Sequence, residues 1–398
     1  MTKSALHKKI ESRLILPFNI MSTFFFRRSV EKAFQLDESP SNLSLNPNKH
    51  IDANPPYIIS PVDDVMYIVD TVLKRSISTS QQAVIASVVP TIARVLGSDF
   101  VGMIQRKMRD ESYPKAAIQG GLPPEDKIIA FIVLINSLDV STDYIARIIK
   151  SQIGLSHASS SSTDALKELF PFDHDSTFVT NALYTLQSSF TSKTSELIAD
   201  GLHVLFNNVI KPRLRPVLSD TFRDVEYSLS SSDLDELAAA NDIDASDKEF
   251  IELVPRRFEH SWDALMNPIV RIMTPQTFST LLEQTTKYLA RVLEKRIWSF
   301  AGKTNAIGGV RMERDFNQIV NVICRGAAPD YKTGQQVPAT SANYALKEGF
   351  TRVSQILMLL NIEDEEWDEM QQLGEEEDGV EWVLSEDERI KAKGIVRS

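Results

Sequence analysis

Three bulk properties limit what the chain can be. Its 398 residues are 42% apolar and 24% charged, a composition that fits a globular protein of two or three domains. Cys324 is the single cysteine, so neither a disulfide nor a cysteine-based zinc site can form within the chain. The formal net charge is −11, and fourteen Asp and Glu residues fall between 362 and 388. A nucleic-acid-binding protein needs a basic stripe, and nothing in the sequence indicates one.

The first 36 residues are predicted to be helical and to be the remnant of a preceding domain. Within them, FFFRR (Phe24–Arg28) allows two interpretations: core aromatics of an amphipathic helix, which we favour, or residues inserted in a membrane interface. The proline-rich stretch 37–60 is predicted to be a flexible linker. The longest apolar run, Ile128–Ile135, has eight residues, whereas a membrane span needs about 20. We therefore expect a cytosolic protein, peripheral to a membrane at most.

A first helical bundle is predicted over 61–235. Ser60 is the expected N-cap of its first helix, with Pro61 in the first helical position. Apolar residues then recur every three or four positions, which is typical of amphipathic helices. The further helices are predicted at Gln81–Glu111, Glu125–Lys150, Thr177–Ile210 and Pro212–Leu229. The serine-rich stretch 156–163 is an expected loop, and the polar stretch 228–247 is the expected domain boundary.

A second bundle with an acidic tail is predicted over 248–398. Its helices are expected at Phe250–Arg271, Pro275–Phe300, Arg311–Cys324 and Tyr344–Leu360, followed by a short helix with a capping box of Ser385 and Glu388. The tail has two interpretations: a docking element for a basic partner, or a solvated surface. Because it contains Trp367 and Trp382, we favour packed helices with acidic outer faces. Helix after helix, with no alternating β pattern, predicts an all-α fold.

The stretch AGKTNAIGG, Ala301–Gly309, ends like a phosphate-binding loop. Such a loop needs a glycine five residues before Gly302, but Ile297 stands there, inside a predicted helix rather than after a strand. A nucleotide-binding enzyme is therefore the reading we favour least. Instead, we expect a corner between helices, in which Gly308 and Gly309 adopt positive φ and Asn305 caps or turns the chain.

No other catalytic constellation is present in the sequence. The six histidines are scattered, and no zinc-protease or nucleophile-elbow motif occurs. His174, between two aspartates in FDHD, is best explained by a polar turn before a helix. Cys324 is expected to be a buried structural residue. The sequence thus indicates neither an enzyme nor a cofactor.

Several phrases, in order, resemble one family: the fourth subunit of the conserved oligomeric Golgi complex. They are STFFFRRSVEKAFQLDE, VDDVMYIVDTVLKRSIST, VLINSLDVSTDYI, IKPRLRPVL, AIGGVRMERDFNQIV, TRVSQILMLLNIE and VLSEDERIKAKGIVR. The family protein is about twice as long, so the chain resembles its C-terminal half. The resemblance implies a fold of elongated, stacked antiparallel helical bundles, the helical-rod (CATCHR) type of tethering proteins.

The resemblance also implies a non-catalytic role in Golgi vesicle tethering during intra-Golgi retrograde transport. The implied partners are other subunits of the complex and possible SNARE proteins, a Sec1/Munc18-type regulator and Rab GTPases, at the cytoplasmic face of the Golgi membrane. An adaptor subunit of another, exocyst-like tether is the alternative. Candidate structural or interaction residues are Asn305, Gly308, Gly309, Arg311, Arg314, Arg352 and Glu363. Opposite charge predicts that Arg311 or Arg314 lies near Glu363 or a neighbouring acidic residue.

Overall fold

The computed structural model describes residues 4–116, 121–154, 165–230, 232–233, 253–325, 346–373 and 381–396. Across these ranges the regular elements are helices, and the one β-type pairing is an isolated parallel bridge between Thr304 and Val396. The predicted all-α fold is confirmed. The chain divides into two compact units, Met1–Val209 with Ile272–Thr277, and Ile210–Arg271 with Phe278–Ser398. The domain limits predicted from the sequence stay a prediction.

Unit 1 is built from eight α-helices within its described residues, and each predicted helix of this region is present. They are α1 Ala5–Ile10, α2 Leu16–Gln35, α3 Pro61–Ile77, α4 Gln82–Val95, α5 Val101–Arg106, α6 Glu125–Gln152, α7 Ala165–Leu169 and α8 Asp173–Leu205. Turns of π-helix at Glu11–Ile15 and Leu96–Phe100 join α1 to α2 and α4 to α5 without a break in the helical path. The serine-rich stretch 156–163 lies outside the described residues.

The long helices α6 and α8 pack together at the centre of unit 1, and α4 packs on α8. Asn136 of α6 is fully buried, and its amide satisfies three backbone groups. Its Nδ2 donates to the carbonyls of Tyr57 (3.2 Å) and Ile272 (2.7 Å), and its Oδ1 accepts from the amide of Thr274 (3.0 Å). One buried side chain thereby holds two distant segments of unit 1 against α6.

The stretch 37–60 has no helix but contacts unit 1 at several points. Ser44 donates from Oγ to Glu125 (2.8 Å), and Lys107 donates to Asp37 (2.6 Å). At its end, Ser60 does not cap α3 with its side chain, so that predicted role is wrong: its backbone is already helical, and its Oγ accepts from the amide of Glu38 (2.9 Å). The predicted flexibility of this stretch stays a prediction.

Two helical paths in unit 1, Gln82–Glu111 and Glu125–Gln152, are long and apolar enough to cross a membrane by length and composition. The run Ile128–Ile135 alone had suggested that no stretch reaches that length. Helix α6, Glu125–Gln152, passes the test because it extends beyond that apolar run. Of its most apolar window, 67% is buried inside the structure, as in the core helix of a globular unit.

Unit 2 contains the remaining helices of the described chain. They are α9 Lys211–Thr221, α10 Leu253–Val270, α11 Pro275–Trp298 (from Phe278 onward), α12 Ala306–Cys324, α13 Thr351–Leu360, α14 Asp364–Leu373 and α15 Glu386–Lys393. Helix α10 packs between α9 and α12, and α13 packs on α12 and α15. The helix predicted to reach Leu229 ends earlier, at Thr221. The helix predicted over Tyr344–Leu360 is interrupted by a turn at Gly349 and Phe350 and continues from Thr351. Most of the predicted boundary 228–247 lies outside the described residues.

Candidate interaction site

Asn305 begins α12 and ties it to a segment from the start of unit 2. Its Oδ1 accepts from the amide of Gly308 (2.9 Å), which is the N-cap geometry that the sequence predicts. The same side chain also bonds both backbone groups of Leu229, at 3.2 Å and 2.6 Å. The backbone amide of Asn305 donates to the carbonyl of Tyr227 (3.2 Å). Asn305 is therefore a junction between α12 and residues 227–229.

The glycine pair is required by close packing, not by a left-handed turn. The expected positive φ at Gly308 and Gly309 is wrong: both lie in the first turns of α12, and the positive φ in this corner belongs to Gly302, at 71°. A Cβ on Gly308 would lie 1.6 Å from the carbonyl oxygen of Tyr227. A Cβ on Gly309 would lie 2.6 Å from Oδ1 of Asn361. Two chain segments thus approach the helix where side chains are missing.

The loop before α12 pairs with the C-terminal end of unit 2. The amide of Gly302 donates to the carbonyl of Ile395 (3.1 Å), and Thr304 forms the isolated bridge with Val396. The amide of Lys303 donates to Phe300 within the same turn (2.9 Å). These backbone donors already have protein partners, and α11 precedes the loop where a phosphate-binding loop has a strand.

A buried polar cluster joins Tyr227 to α12. The phenol of Tyr227 donates to Oδ2 of Asp315 (3.1 Å), and Arg311 Nε lies 3.7 Å from the same carboxylate. Tyr227 and Asp315 are fully buried. Burial and the neighbouring Asp315 carboxylate raise the pKa of the Tyr227 phenol well above its usual value, so Tyr227 stays a neutral donor. The cluster holds the phenol of Tyr227, whereas Asn305 binds the backbone carbonyl of the same residue.

Arg352 on α13 joins three parts of unit 2. Its guanidinium binds the carboxylate of Glu294 on α11 (2.8 Å) and that of Glu388 on α15 (2.6 Å), and it donates to the carbonyl of Val383 (3.3 Å). The hydrogen bonds from Arg352 and from the amide of Ser385 lower the pKa of Glu388 to about 2. Glu388 also completes the predicted capping box with Ser385, which is confirmed.

Two further contacts attach the C-terminal segment. Gln355, one turn after Arg352, donates to the carbonyl of Glu381 (2.8 Å) and accepts from the amides of Val383 and Leu384. Lys393 at the end of α15 binds Asp364 at 2.9 Å. The segment from 381 to 396 is therefore held along its whole length, by α13 at its start and by the Gly302 loop at its end.

The structure brings some predicted residues together and separates others. Asn305, Gly308, Gly309 and Arg311 share the first two turns of α12. Among the described residues, Glu363 forms no ion pair, so its predicted pairing with Arg311 or Arg314 is wrong, whereas a pairing of Arg314 with a neighbouring acidic residue of the tail stays a prediction. Arg311 is turned inward to Asp315 on its own helix instead. Sequence reasoning missed Tyr227, Glu294 and Gln355, because their partners are distant in the chain. It also missed Asp315, although the spacing of four residues from Arg311 could have indicated that pair.

The acidic helix α14 presents a strongly charged surface in unit 2. Its residues Asp364, Glu365, Glu366, Asp368 and Glu369 are exposed, while Trp367 is half-buried, as expected for a helix with an acidic outer face. Among the described residues, no group of three or more His, Cys, Asp and Glu is placed to hold a metal ion. Burial raises the pKa of the Cys324 thiol, as expected for a structural cysteine.

Two family models together match most of the chain. The model described as "Conserved oligomeric Golgi complex subunit 4, C-terminal" matches residues 131–391, and "COG4 transport protein, middle alpha-helical bundle" matches residues 1–108. The first covers well over half of the chain. This chain belongs to the conserved oligomeric Golgi complex subunit 4 family. The corner Asn305–Gly309 and the Arg352 contacts both lie within the C-terminal region of that family.

Curated members of the same family are similar across eukaryotes. The Saccharomyces cerevisiae subunit is 24% identical over 286 residues, which is 68% of this chain and 30% of the relative. The Arabidopsis thaliana subunit is 24% identical over 345 residues (86% and 39%), and the human subunit is 20% identical over 368 residues (86% and 40%). The chain thus spans about 30 to 40% of the length of these relatives. No solved structure matches it.

Proposed function

We propose that the chain is a non-catalytic part of a subunit of a Golgi vesicle-tethering complex, acting in intra-Golgi retrograde transport. The observation that carries the proposal is the match of residues 131–391 to the C-terminal model of a subunit named for the Golgi complex. The all-α architecture suits the task, since tethering needs interaction surfaces rather than a reaction centre.

The chain acts by presenting surfaces to other subunits of the complex, with SNARE proteins, a Sec1/Munc18-type regulator and Rab GTPases as further partners. It works at the cytoplasmic face of the Golgi membrane as a peripheral component. Within unit 2, Asn305, Gly308, Gly309, Arg311, Arg314 and Arg352 have a structural role: they set the position of α12 and the C-terminal segment. The contacts of Asn305, Gly308, Gly309, Arg311 and Arg352 within the unit support this role, because a group bound inside its own unit is not available to a partner.

The partner-facing part of the candidate site is the acidic face of α14, with Glu363 just before it. The side chains of Glu365 and Glu369 are exposed one turn apart, and neither forms an ion pair with another described residue. A dense patch of one charge attracts a surface of the opposite charge and raises the rate of encounter. The expected partner surface is therefore basic.

The test is affinity capture of the tagged chain from cells, followed by pairwise capture with each subunit of the Golgi complex. The chain is expected to recover Golgi-complex subunits, and the Glu365→Lys, Glu369→Lys variant is expected to lose at least one of them. A matched control reverses two exposed carboxylates elsewhere in unit 2, Glu348→Lys and Glu283→Lys, and should keep every partner. Recovery of exocyst subunits without Golgi-complex subunits would contradict the proposal.

A further inference from the structure

The helical path from Ala5 to Gln35 carries a stripe of exposed large apolar side chains. In α2 these are Ile20, Met21, Phe24 and Phe25, exposed to 61%, 70%, 66% and 46%. Leu6, Ile10 and Leu14 continue the exposed apolar surface toward the N-terminus of the chain. A water-exposed patch of this size on one helix indicates a binding surface, because isolated exposed apolar residues are common and a contiguous row is not.

The exposed stripe lies on the side of α2 that faces away from the rest of unit 1. Its buried side holds Phe26, Val30 and Ala33, each nearly inaccessible. At about 100° per residue, Phe24 and its neighbours in the stripe fall on the opposite side of the helix. The stripe is therefore an outward apolar face of one helix, and insertion in a lipid interface needs only one such face.

The same helical path is basic in a chain that is acidic overall. From 5 to 35 it contains six Lys and Arg and two Glu, against a net charge of −11 for the whole chain. Lys8, Lys9, Arg13 and Lys32 form no ion pair with any residue that the structure describes. These cations are therefore available to bind a negatively charged surface outside unit 1.

A pocket of about 460 Å³ adjoins the C-terminal end of the stripe. Val30, Phe34 and Met103 line it with apolar groups, and Arg27, Arg28 and Arg106 supply positive charge. Arg28 lies one turn after Phe24, so the pocket borders the stripe between the exposed and the buried side of α2. Arg27 and Arg28 form exposed pairs with Asp99 (3.4 Å) and Glu31 (2.6 Å). Exposed pairs contribute only about 0–1 kcal/mol, so either arginine can exchange its carboxylate for a phosphate.

We propose that this face of the helix from Ala5 to Gln35 docks directly on an anionic lipid surface. The apolar stripe enters the boundary between headgroups and acyl chains, led by Phe24 and Phe25. The unpaired cations and the arginine-lined pocket bind lipid phosphates beside it. This contact goes beyond the proposed function, because it requires no other subunit and holds whether or not the chain joins a tethering complex.

The test is co-sedimentation of the purified 398-residue chain with two kinds of vesicle, phosphatidylcholine alone and phosphatidylcholine mixed with phosphatidylserine. Binding is expected with the mixed vesicles, much weaker with phosphatidylcholine alone, and reduced by added salt. The Phe24→Ser, Phe25→Ser variant should bind on the order of tenfold or more weakly, because two apolar side chains no longer enter the interface. The Lys8→Glu, Lys9→Glu, Arg13→Glu variant should bind on the order of 100-fold more weakly, at about fivefold for each of the three basic residues.

Two control variants change matched residues elsewhere in unit 1. Phe172→Ser with Tyr184→Ser removes aromatics of similar exposure (71% and 45%), and Arg75→Glu, Arg94→Glu, Lys150→Glu reverses three exposed cations. Both controls should bind nearly as well as the parent chain. Circular dichroism should show unchanged helix content in every variant, since all the altered side chains are exposed.

Three results would each overturn the proposal: no binding to either vesicle, binding to mixed vesicles that the Phe24, Phe25 variant retains in full, or self-association that this variant abolishes in place of vesicle binding. The last result would assign the stripe to a second copy of the chain. Capture of other subunits does not enter the test, so failure here leaves the proposed tethering function intact.

Discussion

Arg352 connects three parts of unit 2, and its removal should weaken the unit measurably. Arg352→Ala deletes the cation between Glu294 and Glu388 and leaves those two carboxylates facing each other without a counter-charge. The guanidinium is 35% exposed and Glu294 is 20% exposed. Breaking a fully buried ion pair costs about 3–5 kcal/mol, and an exposed pair contributes about 0.2–1 kcal/mol. For a half-buried network we expect a loss of about 2 kcal/mol in the free energy of unfolding.

The assay is urea unfolding followed by tryptophan fluorescence. All four tryptophans, Trp262, Trp298, Trp367 and Trp382, belong to unit 2, so the signal reports that unit alone. Arg352→Lys should lose about half as much, because an ammonium group keeps the charge but cannot bind both carboxylates in the fork geometry of a guanidinium.

The matched control for this prediction is Arg325→Ala. Arg325 forms an ion pair of similar length with Glu259 (2.7 Å), but the two side chains are 70% and 41% exposed. Its removal should cost no more than about 1 kcal/mol. If Arg352→Ala costs no more than Arg325→Ala, the argument that Arg352 fastens the C-terminal segment is refuted.

Three further predictions concern the same unit. The folded-state pKa of Glu388 is lowered from 4.5 to about 2, so its contribution to the free energy of unfolding is complete above pH 4.5 and is lost as the pH falls toward 2. The stability of Glu388→Gln to urea should therefore depend less on pH in this window than that of the parent chain. Gly308→Ala should cost about 3 kcal/mol or more, since its Cβ would meet the Tyr227 carbonyl, whereas Gly394→Ala, with its nearest atom at 3.6 Å, should stay within about 1 kcal/mol. Tyr227→Phe should cost about 2 kcal/mol by the same assay, because the Asp315 carboxylate loses a buried hydrogen bond; no loss would show that this bond is not needed.

Local patterns in the sequence predicted local structure well. The all-α fold, most helix bounds, the Asn305 cap and the Ser385–Glu388 box all depend on residues within a few positions of each other, where spacing and side-chain chemistry decide the outcome. The FFFRR stretch shows the limit of this reasoning. Its third aromatic, Phe26, is buried as favoured, but Phe24 and Phe25 are exposed, which periodicity alone did not resolve.

Contacts between distant residues could not be predicted in the same way. Gly308 and Gly309 were correctly singled out, but for the wrong reason: their need for a small side chain comes from Tyr227 and Asn361, which lie far away in the chain. Arg311 was one of two arginines expected to reach the acidic tail, yet it lies beside the buried carboxylate of Asp315, one turn away on its own helix. Charge alone does not choose among several partners of the same sign.

Pairwise capture of this chain, expressed alone, by each purified subunit of the conserved oligomeric Golgi complex is the decisive experiment. At least one subunit is expected to bind the chain. Reversing Glu365 and Glu369 is expected to weaken that binding while tryptophan fluorescence shows that unit 2 stays folded. If the folded chain binds none of the subunits, the proposed tethering role is wrong. If it binds them equally well after the reversal, the proposed acidic docking face is wrong.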